Sequence, residues 1–215
     1  MSSKPLLPQA FWFRVAASCP RIAEIPLGGS KGPLLDLPAS CDLPDLAPVD
    51  SRSSWTTIRA GWNPSGLGVS VIAEGDSSLS FSSDPAENLA YVHLWIDTRD
   101  TRDVSRATRF CHRFTTRLTF GRDRKSVKAE TDQRVIARAL ADAPMARAGE
   151  IQSRATATAK GGWVCELFFS SSALHGFDPD TNRRLGFTYH ITDSARPEQF
   201  LTVGRDFPIA AAALP

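Results

Sequence analysis

The chain has 215 residues, of which 42% are hydrophobic and 22% are charged. This composition excludes an intrinsically disordered chain, and the length suits one large domain with a buried core. The 25 basic and 23 acidic side chains nearly cancel, so no strong field attracts nucleic acid, and we predict no nucleic-acid partner. No apolar run approaches the ~20 residues that span a bilayer, so we predict no membrane partner either.

The first ten residues are polar and contain proline, which predicts a loose lead-in over 1–10. No long apolar stretch of a secretory signal follows, so the sequence predicts a cytoplasmic location. The cysteines show no metal-type spacing, and in the cytoplasm free thiols are the default, with disulfides left open. The four are Cys19, Cys41, Cys111 and Cys165.

Alternation of apolar and polar residues predicts a first strand over 11–19. Residues 20–54 are rich in Pro, Gly, Asp and Ser, so we expect a long loop excursion whose leucines pack on the body. The clearest hairpin comes next, with strands over 56–62 and 67–74 joined by an Asn-Pro-Ser-Gly turn.

The same alternation predicts the later strands, which span 91–97, 110–120, 135–140, 151–159, 163–170, 185–192 and 200–203. A short helix is the alternative at 135–140, residues 121–132 read as a charged loop, and 207–215 as a strand or an Ala-rich extension. About nine to eleven short strands with frequent turn signals predict an all-β fold. We expect one antiparallel, jelly-roll-like sandwich over 1–215, with little helix.

Four segments occur in a characteristic order: IRAGWNPSGLGVSV at 58–71, YVHLWIDTRD at 91–100, GWVCELFFSSSALHG at 162–176 and LGFTYHITD at 185–193. Together they resemble the family 9 carbohydrate-binding modules and the wider DOMON-like group of β-sandwiches. The resemblance implies a non-catalytic domain whose ligand is a saccharide or a similar polyhydroxylated molecule, and it makes calcium a candidate cofactor. The chain departs from the family at His93, where a carboxylate is common.

The strand over 91–97 carries the main candidate site. Alternation places Tyr91, His93, Trp95 and Asp97 on one face of the strand. Aromatic rings can stack on a sugar, and polar groups can match its hydroxyls, so this face predicts saccharide binding. The structural alternative is packing under a loop or against the second sheet. Arg99, in the following Asp- and Arg-rich loop, adds a rim candidate, with ion pairing at the surface as its alternative.

Four other side chains need an interpretation. Trp55 lies where a loop becomes a strand, and it is the sixth ligand candidate. Trp62 and Trp163 are in phase with core positions, so core packing is the better prediction for both. Glu166 shares a strand with apolar residues, which predicts a buried, hydrogen-bonded carboxylate.

No GxSxG, HExxH, Walker A or GxGxxG motif occurs, so the sequence predicts no catalytic site of its own. Cys111 and His112 are neighbours on a strand and face opposite sides, so they cannot share one site. Saccharide binding is the leading hypothesis. A structural or protein-interaction sandwich that lost its ligand is the second, and an uncharacterised hydrolase, which needs two convergent carboxylates such as Asp97 and Glu166, is the third.

Overall fold

The computed structural model describes residues 15–29, 32–101 and 106–201. The strands of this part of the chain are β1 (Thr56–Asn63), β2 (Gly66–Ala73), β3 (Leu89–Asp97), β4 (Cys111–Phe120), β5 (Val127–Arg134), β6 (Ile151–Ala157), β7 (Trp163–Ser170), β8 (Gly186–Asp193) and β9 (Arg196–Phe200). Short 3-10 turns lie between them, at Ala39–Cys41, Ala47–Asp50, Pro85–Glu87, Arg122–Arg124 and Ala159–Gly161.

The strands form two sheets. The four-stranded sheet has the order β1-β2-β7-β6, and the five-stranded sheet has the order β5-β4-β3-β8-β9. Every neighbouring pair is antiparallel. The prediction of an all-β antiparallel sandwich with about nine strands is therefore confirmed.

The main core lies between the two sheets because successive side chains of a strand point to opposite faces, and the apolar set of each strand faces the other sheet. Val69 and Val71 of β2 face inward from one sheet, and Val92 and Leu94 of β3 face inward from the other. Aromatic rings join the layers at Phe114 and Phe169, whose centroids are 4.3 Å apart. Trp163 is fully buried in this core, as its phase predicts.

A buried ion pair closes one end of the core. The guanidinium of Arg124 donates to both carboxylate oxygens of Asp193, each at 2.7 Å, and the Trp163 indole N–H donates to the same carboxylate at 3.0 Å. Burial acts to raise the pKa of Asp193, but these hydrogen bonds outweigh it and hold that pKa below its usual range. Local sequence patterns do not predict this pair, because Arg124 and Asp193 are far apart along the chain.

A second apolar cluster lies on the outer side of the four-stranded sheet. Ile25, Leu34, Leu35, Leu37 and Cys41 of the excursion pack there against Phe168 of β7. The sheet offers glycines at this contact: a Cβ on Gly61 would lie 2.9 Å from Cγ1 of Ile22. The excursion therefore covers this face closely, and β2 is buried on both of its sides.

Two strand predictions at the ends of the described chain were wrong. Residues 15–19 form no strand, and 11–14 lie outside the described residues. The last described strand is β9 rather than 200–203, of which 202 and 203 lie outside the described residues, as does 207–215. Pro197 weakened the strand pattern there, but an edge strand tolerates proline.

The prediction around β5 was also wrong. Residues 121–132 were expected to form a loop, yet β5 begins at Val127, while 135–140 forms neither a strand nor a helix. β5 lies at the edge of its sheet, and its outward positions are charged, which hides the period of a strand.

Candidate functional site

The outer surface of the five-stranded sheet carries the predicted aromatic residues. Val92, Leu94 and Ile96 of β3 point into the core, so the alternating residues of this strand point outward. Across the neighbouring strands, His190 of β8 pairs with His93, and Phe200 of β9 pairs with His190. We call the surface formed by Tyr91, His93, Trp95, His190 and Phe200 the aromatic face.

The rings of the aromatic face contact one another. Tyr91 and His93 are nearly parallel, with centroids 6.0 Å apart, and the His93 and His190 rings lie 5.4 Å apart. His190 and Phe200 stack directly at 4.1 Å. As a result the two histidines are only 7% and 2% exposed, whereas Tyr91, Trp95 and Phe200 stay half-buried. A ligand on this surface would therefore meet Tyr91, Trp95 and Phe200.

The imidazoles inside the aromatic face are held by polar neighbours. Nδ1 of His93 is 3.0 Å from the Thr115 hydroxyl, and Nε2 of His190 is 3.1 Å from a carboxylate oxygen of Glu198. His93, predicted as a ligand contact, is 7% exposed between its neighbouring rings, and its role as a contact stays a prediction. It supports the rings on either side of it.

Arg113 lies beside Trp95 on the same surface. The two residues are directly opposite each other on β4 and β3, and the guanidinium lies 5.6 Å from the centre of the indole ring. Arg113 is only 7% exposed, yet its Nε has no hydrogen-bond partner. Nε1 of Trp95 is also buried without a partner. The surface therefore contains two adjacent buried N–H donors without an acceptor.

The charge next to Arg113 is positive. Arg134 of β5 is its cross-strand neighbour. The pKa of Arg113 is lowered, first by burial and then by the charge of Arg134. Asp132, the nearest carboxylate along β5, pairs with Arg134 at 3.0 Å. In the described part of the chain, no ion pair to a carboxylate compensates the guanidinium of Arg113.

Asp97 and Arg99 lie at the end of β3. The Asp97 carboxylate accepts hydrogen bonds from the backbone N–H of Arg99 at 3.0 Å and from that of Thr101 at 2.8 Å. Arg99 is exposed, and its guanidinium lies 5.0 Å from the centre of the Phe110 ring. Asp97 therefore holds the following loop in place, and Arg99 packs on Phe110 beyond the end of the strand.

Trp55 is separate from the aromatic face. Its indole N–H donates to the Pro197 carbonyl at 2.9 Å, and the guanidinium of Arg196 lies 4.8 Å from its ring centre. It forms one wall of a cleft of about 270 Å³ that opens between β1 and the five-stranded sheet. Carboxylates and hydroxyls line the same cleft, at Asp42, Asp45, Ser54, Thr56, Glu74 and Tyr189. The structure thus divides the six candidates among three places: the aromatic face, the loop after β3 and the cleft at Trp55.

Glu166 occupies the opposite side of the sandwich. Its carboxylate accepts hydrogen bonds from the backbone N–H groups of Leu34, Leu35 and Asp36, at 2.7, 3.1 and 3.0 Å. The prediction of a buried, hydrogen-bonded carboxylate is confirmed. Because Glu166 faces outward from the four-stranded sheet and Asp97 from the five-stranded sheet, these two carboxylates do not converge.

His112 and Cys111 lie on opposite sides of β4, as predicted. His112 is fully buried and stacks in parallel with Phe114, at 6.1 Å between centroids. Burial lowers its pKa. Cys111 is on the outer side, and all four cysteines are free thiols. The pair therefore forms no joint site.

Among the described residues, no three His, Cys, Asp or Glu side chains are grouped so that they could hold a metal ion. These residues do not fit the calcium ion that the family resemblance implies. In the same part of the chain, no helix has the length and apolar character needed to cross a membrane. The cytoplasmic location stays a prediction.

Comparison of the chain with protein-family models, with curated proteins and with solved structures found no match. The likeness to family 9 carbohydrate-binding modules therefore stays a prediction from four sequence segments. Function has to be inferred from the geometry of the two candidate places, the aromatic face and the cleft at Trp55.

Proposed function

We propose that this protein binds saccharides on the aromatic face, without a catalytic step of its own. The observation that supports this proposal is the position of Tyr91 and Trp95, which are half-buried and point outward from the same strand. Four residues of a strand extend over roughly 13 Å, so a ligand that touches both rings has to be an oligosaccharide.

The polar groups around these rings suit hydroxyl recognition. Thr188 lies opposite Trp95 on β8, and Thr115 lies opposite His93 on β4. Each hydroxyl is a donor and an acceptor. Aromatic rings with a few convergent polar groups are the usual composition of a small-molecule site.

The cleft at Trp55 is the weaker place for a sugar ring. One face of the indole already carries the guanidinium of Arg196, and its N–H is bonded to Pro197. A sugar that stacked there would first have to displace the arginine. On the aromatic face the Arg113 guanidinium lies beside the Trp95 ring at a longer distance, 5.6 Å, and among the described residues no cation lies over the Tyr91 ring.

A screen by affinity electrophoresis and thermal shift tests the proposal. Binding to the folded state raises the melting temperature by mass action, so a shift with one class of oligosaccharide identifies the ligand. Trp95→Ala and Tyr91→Ala are expected to abolish the shift and to leave the circular dichroism spectrum unchanged. Trp55→Phe is the matched control, because it removes a tryptophan from the cleft. Loss of binding in Trp55→Phe alone would assign the site to the cleft and contradict the proposal.

A protein-interaction domain is the second candidate, and one observation favours it. Three large apolar side chains are well exposed in the segment after β5, at Val135, Leu140 and Met145. Exposed apolar groups close together often mark a contact surface. Sedimentation velocity over a range of protein concentrations tests self-association, with Leu140→Ser and Met145→Ser as the variants that should abolish it.

A further inference from the structure

Arg113 is the feature of the aromatic face that neutral sugars leave unexplained. A buried charge is costly unless a counter-charge or hydrogen bonds compensate it. The chain compensates its other strongly buried arginine, Arg124, with two hydrogen bonds to Asp193. Arg113 has only the Trp95 ring among the described residues.

The neighbouring carboxylates are already bonded elsewhere. Asp132 pairs with Arg134 on its own strand, Glu130 pairs with Lys128, and Asp97 accepts two backbone N–H groups of its loop. The antiparallel register also places Arg134, rather than an acid, directly opposite Arg113. Among the described residues, the positive group beside Trp95 is therefore left without an acceptor.

The unpaired donors lie close together. Nε of Arg113 and Nε1 of Trp95 are buried on directly paired residues, and neither has a partner. Arginine offers a planar fork of N–H donors that matches the two oxygens of a carboxylate, and it binds sulfate oxygens in a similar way. What this place lacks is an oxygen-bearing anion.

We infer that the saccharide bound by the aromatic face is acidic, and that its carboxylate or sulfate group binds Arg113 next to Trp95. This inference rests on the proposed function, since it assigns a charge class to the same ligand. Tyr91 would contact a further sugar ring along β3, and Arg134 would add a second, more exposed positive charge. Both an oligouronate and a sulfated oligosaccharide supply the required group.

Three oligosaccharide probes of equal length test the inference by titration calorimetry. They are an oligogalacturonate, the neutral oligogalactan obtained by reducing its carboxyl groups, and a sulfated galactan fragment. We expect an acidic probe to bind about tenfold or more tightly than the neutral one, as charge-assisted hydrogen bonds imply. Comparison of the galacturonate with the sulfated fragment decides which anion is preferred.

Two variants of Arg113 and one control complete the experiment. Arg113→Gln is expected to remove the preference for the acidic probe, while Arg113→Lys should retain part of it as a point charge. Arg117→Gln is the matched control, because Arg117 lies on the same strand and face but is exposed. Because Arg117 is directly opposite Tyr91 rather than Trp95, its substitution should lower the preference much less than Arg113→Gln does. Melting temperatures of all variants verify folding.

The outcomes separate the two proposals. Equal binding of acidic and neutral probes, unaffected by Arg113→Gln, would overturn the acidic ligand and keep the saccharide site. No binding of any probe would overturn both. An acidic preference that Arg117→Gln removes as fully as Arg113→Gln would show a diffuse surface charge instead of the proposed contact.

Discussion

The outer faces of the two sheets each carry a buried charged side chain, and the two side chains differ in their hydrogen-bond partners. On the four-stranded sheet, Glu166 lies beneath the excursion and accepts three backbone N–H groups from it. On the five-stranded sheet, Arg113 is equally buried, at 7% exposure, and receives no acceptor from the described chain. One face is complemented by the protein itself, and the other presents donors that a ligand can complement.

Under the proposed function, this contrast separates a face that packs a segment of the chain from a face that binds a ligand. Gly61 and Gly68 allow the excursion to approach the four-stranded sheet closely, so leucines fill the space. The corresponding surface of the five-stranded sheet carries half-buried rings, at Tyr91 and Trp95, beside a charge. A side chain without an internal partner is a better guide to function here than exposure alone.

The largest expected loss of stability comes from removing the carboxylate that binds the excursion to the four-stranded sheet. Glu166→Ala leaves the buried backbone N–H groups of Leu34 and Leu35 and the part-buried one of Asp36 without their acceptor, and we expect a loss of about 4 kcal/mol in the free energy of unfolding. Urea denaturation measures it, and limited proteolysis should show faster cleavage within the excursion. Glu130→Ala, at an exposed carboxylate of the other face, is the control. A loss below about 1 kcal/mol would mean that the carboxylate does not anchor the excursion.

Adding a larger side chain between the four-stranded sheet and the excursion should destabilise the protein less. A Cβ on Gly68 would lie 3.0 Å from Cδ2 of Leu35 and 3.1 Å from Cδ1 of Ile25, so Gly68→Val has to push the excursion outward. We expect a destabilisation of about 2 kcal/mol, typical of overpacking. Thr119→Val, on the outer side of the five-stranded sheet, should be close to neutral, because Thr119 is only half-buried. Equal effects at both positions would contradict the difference between the faces.

The buried imidazole before Arg113 on β4 makes the stability of the protein depend on pH. His112 points into the core, and burial lowers its pKa from the ordinary value of 6.5. As the pH falls below that value the unfolded chain binds the proton first, so stability is full above it and declines towards the lowered folded pKa. Between pH 8 and pH 5 we expect His112 to contribute a loss of about 1 kcal/mol. His112→Gln should show a flatter urea midpoint against pH than the parent, and an unchanged slope would exclude His112 as the cause.

Removing the unpaired charge should stabilise the free protein slightly. Arg113→Met keeps the apolar stem over Trp95 and deletes the uncompensated guanidinium, so the free energy of unfolding should rise by about 1 kcal/mol. Arg117→Met, at an exposed position, should have no comparable effect. If Arg113→Met destabilises the protein, the guanidinium has a structural partner and the contrast with Glu166 fails.

The smallest change in stability is expected from disrupting the exposed ion pair of β5. Lys128 and Glu130 form an ion pair of 2.6 Å with both side chains well exposed. Solvent screening makes such pairs nearly neutral, so Lys128→Gln should leave the urea midpoint unchanged. A measurable shift would show that charges on this face are more strongly coupled than their exposure suggests.

Local patterns were enough for much of the fold. The hairpin of β1 and β2, the outward direction of Tyr91 and Trp95, and the core position of Trp163 follow from side-chain alternation, which is a property of a single strand. The edge strands β5 and β9 escaped prediction, because an edge position permits charged residues and proline that weaken the same pattern.

The candidate site was predicted only in part, since half of it depends on neighbouring strands. The sequence placed Tyr91, His93, Trp95 and Asp97 along one strand, but it also grouped Trp55 with them. Only the pairing of the strands brings His190 and Phe200 to the aromatic face, and only the stacking of these rings buries His93 between them.

The sequence by itself determined the class of fold, because alternation and turn residues act locally. Tertiary structure decided which charges are compensated. Whether Glu166 meets backbone donors, or Arg113 meets Arg134 instead of an acid, depends on register and on the path of a distant segment. No local pattern encodes those, since a hydrogen bond requires two groups to meet in space, whatever their separation along the chain.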